Sequence, residues 1–340
     1  MNLRRPFDAH VHLRDGPMLA AVASHTAAHC AAALVMPNLA PPVTTRAIAR
    51  AYQARIADAA PAEFQALLTV YLTDGIDADE VIAGFRAGDW IAAKLYPAHA
   101  TTNSAHGVSD IQALVPVLAA MADAGMPLCV HGEVTDPHVD IFDREAVFLS
   151  TILGPLMTQL PTLRVIVEHA TTAAAVEFVA RRTDRAAMSI TAHHLWWNRN
   201  AMFDGGLRPH AYCLPVLKRE TDRQALVKAA TSGAPNVFFG TDSAPHLVGR
   251  KETDCGCAGV FSAPTAVATV AEVFDDAGAL AHLEAFLSLN GPTWYGREPS
   301  EQHITLDRKP TIAPAVLHTP EGPVRIFRGG ETLRYVVTAD

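Results

Sequence analysis

Short apolar runs recur along the chain, each followed by a longer stretch in which apolar positions return every three or four residues. The runs are Phe7–Leu13, Ala32–Met36, Gln65–Tyr71, Ile91–Leu95, Pro127–Val130, Arg164–Val167, Ala187–Ile190 and Asn236–Phe239. At this length they read as strands. Their continuous rather than alternating apolar character is what a parallel sheet covered on both faces requires. Between them, Thr44–Ala59, Asp77–Ala87, Asp110–Ala124, Thr172–Arg182 and Arg219–Ser232 read as helices. Several open on Thr or Asp, whose side chains accept from the free amides of a helix's first turn. Eight strand–helix units predict an α/β fold, a (β/α)8 TIM barrel. A doubly wound open sheet competes, and periodicity alone does not separate the two. No linker rich in Gly, Ser or Pro divides the chain, so residues 1–340 read as one domain. The tail from about residue 301 carries strand-like pieces (His303–Leu306, Val324–Phe327, Leu333–Val337) expected to pack on the barrel's outside.

Composition narrows the partners. Apolar residues make up 49%, enough for one large core, and charged residues only 18%, without long blocks. Acids exceed bases, 35 to 27, for a net charge of −8, and no basic stripe marks a nucleic-acid surface. No segment is apolar enough to span a bilayer, and the opening residues lack the apolar stretch of a secretion signal. Five scattered cysteines (Cys30, Cys129, Cys213, Cys255, Cys257) fit thiols in a reducing cytoplasm better than a disulfide framework. Cys255-Gly-Cys257 has chelate-like spacing, but two thiols without a nearby His are too few for a zinc site.

The 16 histidines change the picture, because several follow the apolar runs. Asp8-Ala-His10-Val-His12 lies in the first strand, where residues two apart point the same way, so His10 and His12 can reach one ion together. Lys94, His131, His169 and Asp242 close the fourth, fifth, sixth and eighth strands. In a barrel these ends crowd onto the C-terminal rim, where active sites of this fold lie. Lys94 is the odd member, since an ammonium repels a cation. A desolvated lysine becomes nucleophilic and reacts with carbon dioxide to give a carbamate, an oxygen donor that bridges two ions. Four imidazoles, one carboxylate and one bridging N6-carboxylysine suit a binuclear centre of two zinc ions sharing a hydroxide.

These residues sit in stretches that together resemble the shorter, single-domain type of dihydroorotase within the amidohydrolase superfamily. The matching stretches are Asp8-Ala-His-Val-His-Leu-Arg-Asp-Gly16, Met36-Pro-Asn38, Lys94-Leu-Tyr-Pro97, Ala100-Thr-Thr-Asn-Ser104, His106-Gly-Val108 and Val130-His-Gly-Glu133. They continue with Val167-Glu-His-Ala-Thr171, Ile190-Thr-Ala-His-His194, Cys213-Leu-Pro215, Lys218-Arg219, Gly240-Thr-Asp-Ser-Ala-Pro-His246 and Cys255-Gly-Cys-Ala-Gly-Val-Phe261. The resemblance implies that His10, His12, His131, His169 and Asp242 are metal ligands, Lys94 the carboxylated bridge, and Asp242 also the proton shuttle. It places Arg14, Asn38 and His246 on a substrate carboxylate, with His12 and His131 bordering the same substrate. Main-chain groups of Leu214 and Ala258 would meet the ring amide, and Thr101 and Thr102 would lie on a closing loop. His99, just before that loop, departs from the family pattern, and His193, His194, Trp196 and Trp197 read as packing or supporting groups.

The expected reaction is interconversion of L-dihydroorotate and N-carbamoyl-L-aspartate in pyrimidine biosynthesis, by a homodimer. Two alternatives remain at this level. A hydantoinase or allantoinase would share the chemistry without needing the Arg14, Asn38 and His246 grip. A non-catalytic barrel that assembles with a partner enzyme would be expected to lack ligands, and all six are present here.

Overall fold

The computed structural model describes residues 1–339. Eight strands form its central sheet: β1 (Phe7–Val11), β2 (Ala32–Val35), β3 (Gln65–Tyr71), β4 (Ala92–Leu95), β5 (Leu128–Val130), β6 (Val165–Val167), β7 (Ala186–Ile190) and β8 (Val237–Phe239). They are hydrogen-bonded in sequence order, every pair parallel. The chain just past β8 returns to β1: Val11 bridges Ser243 in parallel, Asp242 N donates to the His10 carbonyl at 2.8 Å, and His12 N donates to the Ser243 carbonyl at 3.1 Å. The sheet therefore curls into a barrel, and the open-sheet alternative is excluded.

Strand bounds match the apolar runs to within two residues, because burial on both faces is what wrote those runs. The helix starts follow their caps. Thr45 accepts from Ile48 N at 3.3 Å to begin α1 (Arg46–Ala59), Asp77 accepts from Asp79 N at 2.9 Å to begin α2 (Ala78–Ala87), and Thr172 accepts from Ala175 N at 3.1 Å to begin a helix at Ala173. The expected helix Asp110–Ala124 begins only at Val115. Residues 111–114 form tight turns, with Leu114 N on the Ile111 carbonyl at 3.2 Å, and Pro116 sits in the first helical turn, where its missing N–H costs nothing.

Inside the barrel, Phe7, Leu34, Leu67, Cys129, Ile166 and Phe238 form an apolar floor, and the buried Tyr295 lies against it, its hydroxyl 3.4 Å from Cys129 Sγ. A larger apolar layer separates strands from helices. With one end of the barrel floored in this way, the polar residues collect at the other.

The tail strands differ in part from their expected bounds. His303–Asp307 pairs antiparallel with both Asn2–Arg4 and Val336–Ala339, and Val316–Thr319 pairs with Gly322–Arg325 rather than with a strand at 324–327. Leu333–Val337 divides into Thr332–Leu333 and Val336–Ala339. Between them Arg334 turns toward the helix Ala266–Asp276, its N 2.6 Å from buried Glu272 Oε1 and its Nη1 2.8 Å from Asp276 Oδ1. No helix among the described residues is long and apolar enough to cross a membrane.

Candidate metal centre and substrate cavity

The buried residues at the ends of β1, β4, β5, β6 and β8 form a continuous polar cluster. Asp8 anchors it, accepting from Thr241 N (2.7 Å), Thr241 Oγ1 (2.5 Å) and His10 N (3.1 Å), which ties the exit of β8 to β1. Burial lifts its carboxyl to about 6 against those bonds. Gly240 allows this approach, since a Cβ there would stand 3.1 Å from both His10 Cβ and Ser189 Cβ.

His10 Nε2 and His12 Nε2 lie 3.3 Å apart, as the two-residue spacing predicts, and face Asp242 Oδ1 at 3.4 and 3.1 Å. His10 Nδ1 lies 2.9 Å from Glu168 Oε2. Lys94, fully buried on β4, sets its Nζ against the same Glu168 oxygen and stands 4.8 Å over the Tyr96 ring. The His169 ring centre is 4.9 Å from those of both His10 and His131, and His131 Nε2 meets Glu133 Oε2 at 2.8 Å. The six positions read from the sequence thus converge on one cluster. His169 and Asp242 both adopt φ of 42°, a left-handed conformation that costs a non-glycine residue energy and concentrates at functional positions.

Burial pushes His12 down to about 4, and burial with the neighbouring Lys94 charge pushes His169 well below its ordinary value. Both imidazoles are neutral at pH 7 and carry lone pairs for a cation. Burial alone would raise Asp242, but the His12 hydrogen bond and the neighbouring His10 and His169 hold it well below the carboxylate range. Glu168 follows the same logic: burial opposes ionisation, and His10 and Lys94 bring it down to about 2. His169 Nδ1 and Glu168 Oε1 are buried without a protein partner. The sets His10–His12–Asp242 and His10–Glu168–His169 each hold their donor atoms within 4.8 Å of one another. Neutral imidazoles, ionised carboxylates and unpartnered buried donors are what a divalent ion needs, and the donor set fits a metal-dependent enzyme.

Glu168 and Glu133 carry no role in the sequence reading, although each neighbours a proposed ligand in Glu168-His169 and His131-Gly-Glu133. Side-chain carboxylates that hold metal-binding imidazoles are a recurrent supporting feature, and adjacency on a buried strand end was the available signal. His193 and His194 are buried beside Cys213. His194 spends both ring nitrogens on Thr191 Oγ1 (2.8 Å) and the Pro215 carbonyl (3.1 Å), in keeping with a supporting place.

Beside the cluster lies a small cavity of about 20 Å3 lined by His12, Arg14, Asn38, Tyr96, Thr101, Thr102, His131, His169, Leu214, Asp242, Ala244, Ala258 and Gly259. Among the expected substrate contacts, His246 alone is outside that lining, and it is joined to it through Arg14 Nη2, 3.0 Å from His246 Nε2. Burial and the Arg14 charge push His246 down to about 3, so its ring is neutral and accepts from Arg14. Asn38 Oδ1 lies 2.8 Å from His12 Nδ1, and Asn38 Nδ2 donates to the Thr102 carbonyl at 3.1 Å. The loop 100–104 roofs the cavity: Thr102 Oγ1 reaches the Ala258 carbonyl at 3.4 Å, and exposed His99 (φ 64°) and Asn103 (φ 56°) turn the chain at its two ends. His99 is a turn residue here. The loop 255–259 presents Ala258, and both of its cysteines are free.

This constellation has counterparts. Residues 7–300 match the family described as the amidohydrolase family. A dihydroorotase from Sphingopyxis alaskensis is 55% identical over 98% of this chain and 97% of its own length. The crystal structure of dihydroorotase in complex with 5-fluoroorotic acid from Saccharomyces cerevisiae superposes with a TM-score of 0.93 at 32% identity, covering 100% of this chain and 98% of that one. An L-hydantoinase from Arthrobacter aurescens shares the fold at a TM-score of 0.83 but only 15% identity, covering 100% of this chain and 84% of that one. With its barrel, its rim of imidazoles and carboxylates, and relatives alike over nearly their whole length, this chain belongs to the amidohydrolase family and, within it, to the dihydroorotases.

Proposed function

We propose that this chain interconverts L-dihydroorotate and N-carbamoyl-L-aspartate, with two zinc ions held by His10, His12, His131, His169, Asp242 and a carboxylated Lys94. The observation that carries the reading is the meeting, within one cavity, of a metal-type donor set (His12, His131, His169, Asp242) with the cationic fork of Arg14. A hydrolytic centre and a carboxylate grip share that space. When bound, the ions supply Lewis acidity toward the ring carbonyl and lower the pKa of a water at the site.

The chain's own residues do the rest. Asp242 is ionised and lies against both His10 and His12, so it takes the attacking water's proton and returns it to the departing ring nitrogen. Arg14 offers a planar pair of donors to the substrate carboxylate, with Asn38 and His246 alongside. That grip favours an acid-bearing ring over a simple hydantoin and inverts the sign of a chain whose net charge is −8. Main-chain groups of Leu214 and Ala258, which line the same cavity, meet the ring amide. A cavity of about 20 Å3 has room for about one water, so the loop carrying Thr101 and Thr102 lifts to admit a substrate and closes over it. Lifting it breaks the long Thr102–Ala258 tie and the Asn38–Thr102 and Asn103–Asn38 hydrogen bonds. The reading extends to a homodimer in the cytoplasm; the free thiols support the compartment, and the family resemblance supports the dimer.

Dihydroorotate hydrolysis by the purified protein, with and without a chelator, tests the proposal alongside elemental analysis. Turnover with about two zinc per chain, abolished by chelation, is expected. Metal-loaded protein that opens 5-substituted hydantoins but not dihydroorotate would refute it.

A further inference from the structure

Lys251 ends the short helical turn Val248–Lys251 and is 3% exposed, yet no carboxylate pairs with it among the described residues. Its three ammonium protons meet three main-chain carbonyls instead: Tyr212 at 3.0 Å, Cys257 at 3.0 Å and Gly259 at 2.5 Å. Two of these carbonyls flank Ala258, and the third lies two residues before Leu214. The same Tyr212 carbonyl also accepts from Gly259 N at 3.0 Å. One buried cation therefore staples together the two adjoining segments that bring Leu214 and Ala258 to the cavity lining.

Beyond the lysine, the Ala258 loop is tied by single hydrogen bonds, Cys257 N to the Arg250 carbonyl at 3.0 Å and Thr102 Oγ1 to the Ala258 carbonyl at 3.4 Å among them. Cys255 is exposed, and behind the loop lies a cavity of about 610 Å3 bordered by Trp197, His210, Lys251, Gly259, Phe261 and Arg328. Apolar packing does not back the loop on that side, so its position depends on polar ties. The loop packs closely on neighbouring main chain: a Cβ on Gly256 would stand 2.3 Å from the main-chain carbonyl oxygen of Lys251, and one on Gly259, at φ 146°, would stand 2.6 Å from the Ala244 carbonyl. A desolvated ammonium without a counter-ion is a costly way to secure a fold, and an apolar chain of the same volume would be cheaper. Its advantage is geometric, because one atom fixes three acceptors at once.

We propose that Lys251 is a positioning residue that sets the width of the slot between Leu214 and Ala258, and with it the affinity for the substrate's planar ring amide. This rests on the reading that main-chain groups of Leu214 and Ala258 take the ring. Lys251 hydrogen-bonds to neither the metal-binding cluster nor Arg14, so zinc content reads the cluster independently of it.

The test is a donor series, Lys251→Gln and Lys251→Met, assayed for dihydroorotate kinetics, inhibition by 5-fluoroorotate, zinc content and melting temperature. The Met variant should keep its zinc and melt near the wild-type temperature while kcat/KM falls at least about tenfold, mainly through KM, with a parallel weakening of 5-fluoroorotate. Gln, which retains two donors, should fall between, and it carries the test alone if the Met variant does not fold. Wild-type KM and inhibition in both variants would overturn the proposal. So would a loss that vanishes once activity is expressed per folded, zinc-loaded site, which is what a merely structural lysine gives. Wild-type protein with no dihydroorotate turnover would refute the reaction and the slot together, whereas active wild type with unaltered variants refutes the clamp alone.

Discussion

Replacing Arg14 by Met separates substrate grip from metal chemistry. The guanidinium donates from Nε to the Pro245 carbonyl at 3.2 Å and from Nη2 to His246 Nε2 at 3.0 Å, and it makes no polar contact with Lys94, Glu168 or His169. Met matches much of its length while removing the charge and the planar pair of donors. Losing a charge-assisted contact to a desolvated carboxylate costs about 2–5 kcal/mol. At about 1.4 kcal/mol per factor of ten, kcat/KM for dihydroorotate should fall between about 30-fold and several thousandfold. Zinc content should stay at the wild-type value, because the Arg14 side chain hydrogen-bonds to Pro245 and His246 and to none of the six ligand positions. A second readout is independent of turnover. Burial first, then the Arg14 charge, push His246 down to about 3, so removing that cation takes away one lowering influence and the His246 titration, followed by NMR, should move upward. Steady-state kinetics at several substrate concentrations, with metal analysis on the same preparation, decides the matter. A kcat/KM within about threefold of wild type, less than about 1 kcal/mol, would refute the carboxylate grip, and a loss of zinc would refute the separation of the two functions.

Lys94→Ala should lose metal and activity together, and short carboxylic acids should partly restore both by filling the vacated bridge; a variant that keeps both metals and near-normal turnover would contradict the carboxylated bridge. Changing Thr101 and Thr102 to Val keeps the loop's shape and removes its hydroxyls, so turnover should drop at least tenfold, about 1.4 kcal/mol at the barrier, with zinc content unchanged. His193 is buried with both ring nitrogens unpartnered and is pushed down by burial from its ordinary 6.5 to about 4. The unfolded chain therefore binds that proton more readily than the folded one, so stability is intact above about pH 6.5 and falls as pH drops toward 4; thermal melts across that range should be shallower in their acid decline for His193→Phe than for wild type.

Much of this was written locally. Apolar runs marked the eight barrel strands because a strand buried on both faces must be apolar throughout. Thr45, Asp77 and Thr172 marked helix starts because a cap acts on amides only two or three residues away. His10 and His12 share a face because side chains alternate along a strand. Other features depend on which strand lies beside which. Periodicity could not tell a barrel from an open sheet, since the deciding bridge joins Val11 to Ser243 at opposite ends of the sheet. Glu168 looked like a neighbour of His169, but its carboxylate meets Lys94 and His10, which come from two other strands. The helix expected from Asp110 yielded four residues to turns, because hydrophobic spacing is alike in a helix and in successive tight turns until Pro116 fixes the start. Lys251 gave no local signal at all: a lysine after Arg250 reads as a solvated charge, and only the folding of Tyr212 and the 255–259 loop around its ammonium makes it a buried clamp. Sequence determines burial pattern and short-range spacing because both are properties of neighbouring residues. The partner of a buried charge is decided by strand register and barrel closure, which exist only once distant segments have met.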